Sequence, residues 1–261
     1  MQTLQKNKHF KAIKFFKKYG FLKISIFSRV EIEKFKNQII NDLNKKLKIK
    51  LKSKIKIDKL ENYHNLNIGE NEHKFLVNPN HRYLKFKKKT IKKILNKEIL
   101  YVLNKEWGHS KVALSWIGNL KKKQKIINAT GYRLARPYIR KKNDTADVHI
   151  DINAGGIINK DKKSSATIWI PIIGFDKKFT LRISPKSHKK NHGNKFKKTK
   201  KISPMLPKSY CNKFKFTRLN FKPGEAIMFH PNLLHGGSNN YGSITRVSLD
   251  TRILNLKRFI Y

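Results

Sequence analysis

Val148-His149-Ile150-Asp151-Ile152 is the stretch on which the reading of this chain turns. It is a short β-prone run. Residues two apart in a strand project from the same face, so the His149 imidazole and the Asp151 carboxylate can reach one point in space. No other His-x-Asp or His-x-Glu occurs in the 261 residues. A third ligand is needed, and His235 is the candidate. Two histidines and one carboxylate on one face of an iron(II) ion leave three positions open for a chelating co-substrate and dioxygen. Alone, the tripeptide fits a surface turn or a capped loop as well as a metal site. The surrounding chain has to decide.

Around this run, from Gly108 onward, short β-prone segments alternate with Gly, Pro, Asn and Lys punctuation. They are Val112–Ile117, Thr130–Ile139, Val148–Ile152, Ala166–Ile173, Phe179–Ile183, Phe214–Phe221, Ala226–Phe229 and Ile244–Leu254. Many short strands with no helix between them indicate a double-sheet sandwich or jelly roll. In such a fold sequence-distant strands lie side by side, so the 86 positions between His149 and His235 are no obstacle.

Upstream the texture is helical. Phe10, Ile13, Phe15 and Phe16 recur at helical spacing and stop at Gly20, which suits a helix C-terminus. After the apolar stretch Phe21–Phe27, Ser28 with Glu31 forms a capping-box pattern. It opens a helix whose buried stripe is Ile32, Phe35, Ile39, Ile40 and Leu43. Leu47–Ile57 alternates apolar residues with Lys and reads as a strand or a frayed helix. Glu61–His81 reads as a loop, and Thr90–Trp107 as one helix with Ile91, Ile94, Leu95, Ile99, Val102 and Leu103 on its apolar face. The predicted fold class is therefore mostly β with α. One domain over 1–261 is expected, with an N-terminal helical region (about 1–107) packed on a jelly-roll core of the double-stranded β-helix type (about 108–255).

Composition bounds the partners. The formal net charge is +45, from 61 basic against 16 acidic residues, a balance that ordinarily suggests nucleic acid, an anionic membrane surface or an acidic ligand. Lys far outnumbers Arg, and Ile and Asn are abundant, as an AT-rich coding sequence would dictate irrespective of function. Arg, the residue best shaped for bidentate phosphate and base contacts, is scarce. The single Cys211 excludes an intramolecular disulfide and a Cys-based zinc cluster, and fits a reducing cytoplasm. No signal peptide or membrane span is readable.

The C-terminal stretch carries most of the functional signal. Pro223-Gly224 makes a turn before Glu225-Ala226-Ile227-Met228-Phe229, and His235-Gly236-Gly237-Ser238 follows shortly after. Eleven residues beyond His235 lies Arg246, which shares a strand face with Ser248. A guanidinium fork beside a hydroxyl suits the far carboxylate of a dicarboxylic keto acid, while pairing of Arg246 with Asp250 is the structural alternative.

The order His149-x-Asp151, His235, Arg246 resembles the phytanoyl-CoA dioxygenase superfamily of iron(II)/2-oxoglutarate oxygenases. The similarity extends over nearly the whole chain: Phe15-Phe16-Lys17-Lys18-Tyr19-Gly20-Phe21-Leu22 resembles that family's opening. Trp169-Ile170-Pro171 and Ser184-Pro185-Lys186-Ser187-His188 resemble its central Trp-x-Pro and Pro-Gly-Ser-His segments. Lys186 stands where the family has Gly, and Glu225 where it has Asp, departures that put two turns in question rather than the chemistry. Related halogenases carry a small residue at the position of Asp151, so its retention points to a hydroxylase or another oxidising member.

What the resemblance implies is iron(II) held by His149, Asp151 and His235, with 2-oxoglutarate held by Arg246 and Ser248, and O2 as co-substrate. Thr167 and Trp169 could line the co-substrate pocket, although a buried Trp is more often plain core. His230 and His188 are expected in structural roles and His192 in solvent. The loop Lys186–Lys201 holds eight lysines in sixteen residues and no acid, consistent either with a small anionic substrate or with a merely solvated loop. A carbohydrate- or lipid-type metabolite is equally compatible. Two rivals remain: an AlkB-like nucleic-acid demethylase using the Arg246 and Arg252 pair, and a non-enzymatic basic jelly-roll binding module.

Overall fold

A computed structural model describes residues 2–79, 81–108, 111–119, 124–138, 144–151, 164–192 and 206–257. The first helix, α1 (Gln2–Tyr19), stops where the sequence places its C-terminus. Gly20 takes φ +83° and its N–H donates to the Phe16 carbonyl at 2.7 Å. A Cβ at that position would lie 2.4 Å from the His188 ring, so both conformation and space require glycine. The apolar stretch that follows is strand β1 (Phe21–Ser25). Ser28 then caps α2 (Arg29–Lys50) through the anticipated reciprocal box with Glu31.

Three readings of the first third are corrected. Of the two readings of Leu47–Ile57 the helix holds as far as Lys50 and the strand does not form: Leu47 extends the buried stripe of Ile32, Phe35, Ile39 and Leu43 by one more turn of α2. Glu61–His81 is not simply a loop. It contains a 3-10 turn (Leu60–Asn65) and helix α3 (Glu70–Leu76), which starts where the Glu72 carboxylate accepts the Gly69 N–H at 2.8 Å. Buried Tyr63, His73 and Leu76 anchor this polar-looking segment. After the short strand β2 (Tyr83–Lys85), the helix expected over Thr90–Trp107 is two, α4 (Lys88–Ile94) and α5 (Lys97–Trp107). The Asn96 side chain accepts the Ile99 N–H at 3.0 Å and so starts a new helix inside one continuous apolar pattern.

The strands of the C-terminal part are β3 (Val112–Asn119), β4 (Gln124–Ile127), β5 (Ala129–Ala135), β6 (Ser165–Ile173), β7 (Arg182–Ile183), β8 (Thr217–Arg218), β9 (Glu225–Phe229), β10 (His235–Gly236) and β11 (Arg246–Asn255). A one-turn helix, α6 (Lys208–Cys211), precedes β8. The large sheet runs β1-β9-β6-β11-β3-β4, with β5 beside the first half of β11 and β2 beyond it; the small sheet runs β10-β7-β8. Every pairing is antiparallel, the jelly-roll arrangement expected from the spacing of short strands. Strands β1 and β2 come from the region read as helical, so the N-terminal part contributes to the sheet as well as covering it. Three predicted strands shrink. Phe179–Ile183 and Phe214–Phe221 keep two residues each as β7 and β8, and Val148–Ile152 keeps only an isolated bridge at His149, with Ile152 outside the described residues.

The large sheet is buried on both faces, but by different chemistry. On β6 Ile168, Ile170 and Ile172 pack under the helices with Val247, Leu249 and Ile253 of β11. The alternate residues Thr167 and Trp169, and Arg246, Ser248, Asp250 and Arg252, face a cavity between the sheets. Pro171, which has no N–H to give a ladder, sits at the register shift where β6 and β11 slip between Val247 and Ser248.

Both family departures preserve their turns. Glu225 closes the turn before β9 by accepting the Lys222 N–H at 2.6 Å and pairing with Lys23 at 2.9 Å. Lys186 adopts the left-handed conformation that the family's glycine would take freely, φ +70°. Lys186→Gly should therefore raise unfolding stability by about 0.5–1 kcal/mol, the left-handed penalty partly offset by the freedom glycine adds to the unfolded chain. Gly224→Ala should lower it by about 2 kcal/mol or more, because Gly224 has φ +85° and a Cβ there would lie 1.8 Å from the Phe27 carbonyl oxygen. Urea unfolding of the two variants in parallel checks both signs.

Candidate metal centre

Two backbone hydrogen bonds bring the distant ligands together. His149 N–H donates to the His235 carbonyl at 2.9 Å and His235 N–H returns to the His149 carbonyl at 3.1 Å. Asp151 N–H donates to the Pro231 carbonyl at 2.8 Å, holding the third ligand beside the same segment. The two imidazole centroids lie 4.3 Å apart. His149 Nε2 and His235 Nε2 each lie 3.7 Å from Asp151 Oδ1, and one donor atom from each of the three residues falls within 4.8 Å of the others. Metal–ligand bonds of about 2.1 Å put neighbouring donors roughly 3 to 4 Å apart, so the set can close on one ion with little movement.

Hydrogen bonding fixes which ring nitrogen faces inward. His149 Nδ1 lies 2.7 Å from the Asp147 carbonyl and His235 Nδ1 lies 2.9 Å from the Leu233 carbonyl. A carbonyl accepts only from a protonated Nδ1, which leaves the Nε2 lone pair of each ring toward the cavity. Burial, reinforced by the neighbouring His235, pulls the His149 pKa down to about 3, and burial lowers that of His235 as well. Burial opposes ionisation of Asp151, but Arg252 and the two imidazoles outweigh it and hold its carboxyl below the usual range. At neutral pH the centre is thus two neutral imidazoles and one carboxylate, the protonation state a divalent ion takes up.

Asp151 is oriented by two partners. Thr167 Oγ1 donates to Oδ2 at 2.5 Å, Arg252 Nη2 donates to Oδ1 at 2.9 Å, and Arg252 Nη1 bonds Thr167 Oγ1 at 3.1 Å. Thr167 lines the cavity, and its bond to Asp151 goes beyond what the strand pattern indicates; Arg252 enters from the sequence only as the partner of Arg246 in the demethylase alternative. Its period-two relation to Arg246 on β11 was the available signal.

Arg246 lies in the same cavity, on the face of β11 that also carries Ser248. Its guanidinium donates to the carbonyls of Ser238, at 2.8 Å, and Phe179, and stacks 5.4 Å from the Phe175 ring centre. Burial pulls its pKa down to about 10. Pairing with Asp250 is overturned: Asp250 is held by Arg133 across the β5–β11 ladder, and among the described residues no carboxylate faces Arg246. Trp169 is both core and wall, edge-on to Phe175 at 4.9 Å and to Phe221 at 5.4 Å while lining the cavity.

Of the other histidines, His230 is structural, as expected; its Nδ1 accepts the Asn232 N–H at 3.1 Å. His188 sits in the 3-10 turn Ser187–Lys189. His192 is not in solvent. It is buried, 2.8 Å from Tyr210 Oη and 2.9 Å from the Ser187 carbonyl, because the chain folds it under Tyr210 and Phe214.

A family model described as Phytanoyl-CoA dioxygenase (PhyH) matches residues 71–248. Among solved structures, the chain is similar to the non-haem alpha-ketoglutarate-dependent carbocyclase SnoK from nogalamycin biosynthesis, at 13% identity and TM-score 0.59, covering 94% of this chain and 83% of that one. It is similar to EctD from S. alaskensis at 12% identity and TM-score 0.55, covering 95% and 77%. It is also similar to the epimerase SnoN, solved with Fe3+, alpha ketoglutarate and nogalamycin RO, at 8% identity and TM-score 0.53, covering 95% and 84%. At such identities the likeness is one of fold. No curated protein matches the chain in sequence.

Two measurements test the geometry. Because the imidazoles are already neutral, iron(II) binding should release close to no protons at pH 7, so calorimetric enthalpies in buffers of different ionisation heat should agree. Burial lowers both histidine pKa values, that of His149 to about 3, so the affinity should hold through the pH range in which an ordinary imidazole gains its proton and fall only below it, as protons begin to compete for the ligand nitrogens. Arg252→Ala should weaken iron binding roughly ten- to a hundredfold, as loss of an outer partner does, without unfolding the protein.

Proposed function

Because the chain belongs to the phytanoyl-CoA dioxygenase family, we propose that residues 1–261 work as one oxygenase domain in which His149, Asp151 and His235 hold iron(II), and Arg246 and Ser248 hold 2-oxoglutarate. The chain is an iron(II)- and 2-oxoglutarate-dependent oxygenase by family, and its donor set suits that metal. The observation that carries the residue assignment is the coincidence, in one cavity, of the ligand triad and a buried guanidinium satisfied only by backbone carbonyls. A buried cation without a counter-ion is costly, and a bound dicarboxylate removes that cost.

Each residue then has a definite task. His149 and His235 present Nε2 lone pairs because their Nδ1 protons are engaged. Asp151 offers one oxygen while Thr167 restrains the other, and Arg252 balances its charge. Arg246 takes the far carboxylate of the keto acid in a fork, with the Ser248 hydroxyl beside it. Trp169, Phe175 and Phe229 exclude water from the same space. Bound iron(II) and 2-oxoglutarate supply the oxidising power, O2 being the oxidant and succinate and CO2 the co-products.

The reaction proposed is hydroxylation of a small metabolite, either anionic or of carbohydrate or lipid type. The lysine-rich loop supports anionic character on composition alone, since residues 193–201 lie outside the described ones. A buried, free Cys211 fits a reducing cytoplasm, and among the described residues no helix is long and apolar enough to cross a membrane.

Anaerobic titration with iron(II) and 2-oxoglutarate should give the weak visible charge-transfer band of the chelate. His149→Ala should abolish it, and Arg246→Ala should raise the 2-oxoglutarate requirement roughly a hundredfold, for the loss of two charge-assisted hydrogen bonds. Absence of any band in the unaltered protein, together with no calorimetric iron binding, would sink the assignment.

A further inference from the structure

Beside the metal centre lies a second cavity, of about 360 Å³. Its walls come from α3, the start of β2 and β5, and include His73, Lys74, Val77, Arg82 and Arg133. Arg133, Asp144, Thr145 and Ala146 line both this cavity and the one holding the ligand triad, so the two spaces adjoin. The cavity at the metal measures only about 70 Å³, whereas the neighbour falls in the range of roughly 300–1,000 Å³ typical of small-molecule sites.

The charges on its wall are unequally satisfied. Both acids are engaged. Asp144 accepts from Arg136 Nε, Nη2 and N–H, each at 2.9 Å, and lies 3.3 Å from His73 Nε2; Glu70 lies 3.2 Å from Arg136 Nη1. Arg133 is paired with Asp250. Arg82 is different. It is more than nine-tenths buried, its Nε has no hydrogen-bond partner, and among the described residues no carboxylate pairs with it. Its guanidinium instead stacks 5.7 Å from the Trp116 ring centre. Trp116 is itself fixed by its Nε1–H to the Pro79 carbonyl at 3.0 Å and by Gly131, where any Cβ would lie 2.4 Å from the indole. Burial, reinforced by repulsion from Arg133 and only partly opposed by attraction to Asp250, pulls the Arg82 pKa down to about 9.

We propose that this side cavity is the substrate pocket and that Arg82, with Arg133 at the shared wall, receives an oxyanion of the substrate, a carboxylate or a phosphate. The proposal rests on the oxygenase reading above and deepens it by placing the anionic group. A buried guanidinium that shares the attraction of Asp250 with Arg133 carries uncompensated positive charge, which an oxyanion in the cavity offsets by charge-assisted hydrogen bonds and by relieving the repulsion between the two arginines. The indole holds the planar fork in one orientation, so little entropy remains to be lost on binding. Anchored there, a small molecule extends past Arg133 toward the metal ligands, which places its reacting carbon at a distance from its charge.

The test uses the full-length protein with iron(II) and saturating 2-oxoglutarate under anaerobic conditions, so that Arg246 is occupied before any probe is added. Inorganic phosphate and benzoate are titrated separately by calorimetry, with the chelate band recorded throughout. At least one anion should bind with a dissociation constant on the order of millimolar and perturb the band, and which one does so separates phosphate from carboxylate. Arg82→Gln should weaken that binding roughly tenfold or more while the chelate band still forms. If Arg82→Gln does not fold, Val77→Glu replaces it: a carboxylate built into the wall should compete with the anion, abolish binding and leave the band intact. Equal anion affinity in variant and unaltered protein, or no anion binding to a protein that shows the band, overturns the proposal. A protein that shows no band but loses anion binding in Arg82→Gln retains the anion pocket while the oxygenase reading fails.

Discussion

The pair of backbone hydrogen bonds between His149 and His235 is the constraint on which the site depends. It is the only regular pairing the 148–151 segment makes among the described residues, and it sets two imidazoles side by side, tilted 55° to one another, from points 86 positions apart. The small sheet can offer this contact because β7 holds β10 on its other side, and the 3-10 turn at Ser187 bonds the Leu234 N–H through its hydroxyl at 2.9 Å. Asp151 then follows without a strand of its own, its direction set by Thr167 and Arg252 on the opposite sheet. The candidate histidine ligands are thus oriented by carbonyls of their own segments, and the candidate carboxylate by side chains of the large sheet. Sheet separation and ligand geometry are coupled.

The second theme is the two-faced burial of β6 and β11. Both strands lie between helices and a cavity, so neither face meets bulk water. The helix side obeys ordinary hydrophobic packing, with Ile168, Ile170, Val247, Leu249 and Ile253. The cavity side carries Thr167, Arg246, Ser248, Asp250 and Arg252, and every charge there has a defined neighbour: Asp151 for Arg252, Arg133 for Asp250, carbonyls for Arg246. A strand with three charged residues, Arg246, Asp250 and Arg252, on one largely buried face is stable only because those charges are paired or await a ligand. Net charge of +45 over the whole chain and the handful of arginines inside are separate matters. Lysines dominate the former; buried arginine forks organise the latter.

Much of this was legible in the chain itself. Glycine at 20 and the Ser28–Glu31 box mark helix ends by local chemistry, and the structure keeps both. The candidate triad was readable from the His149-x-Asp151 spacing together with the family order that brings in His235, although no strand forms at 148–151, and Arg246 and Ser248 because β11 alternates. Errors arose where local pattern and tertiary packing disagree. Leu47 looked like the first residue of an alternating strand and is the last turn of a helix stripe. His192, set among lysines, is buried because Tyr210 and Phe214 close over it. The break at Asn96 was hidden because the apolar stripe runs through it unshifted.

The sequence by itself therefore determined the fold class, the helix ends at Gly20 and Ser28, and the candidate status of His149, Asp151 and His235, which rest on interactions within a few residues, on spacing or on family resemblance. Tertiary structure alone decided that Asp250 belongs to Arg133 rather than to Arg246, that Arg252 and Thr167 converge on Asp151, and that Arg82 sits against Trp116 with no directly paired carboxylate among the described residues. Such pairings join strands and helices tens of residues apart. Charge attraction is non-directional along the chain, so no spacing in the sequence encodes which of several arginines meets which carboxylate until sheet order and register bring them within hydrogen-bonding distance.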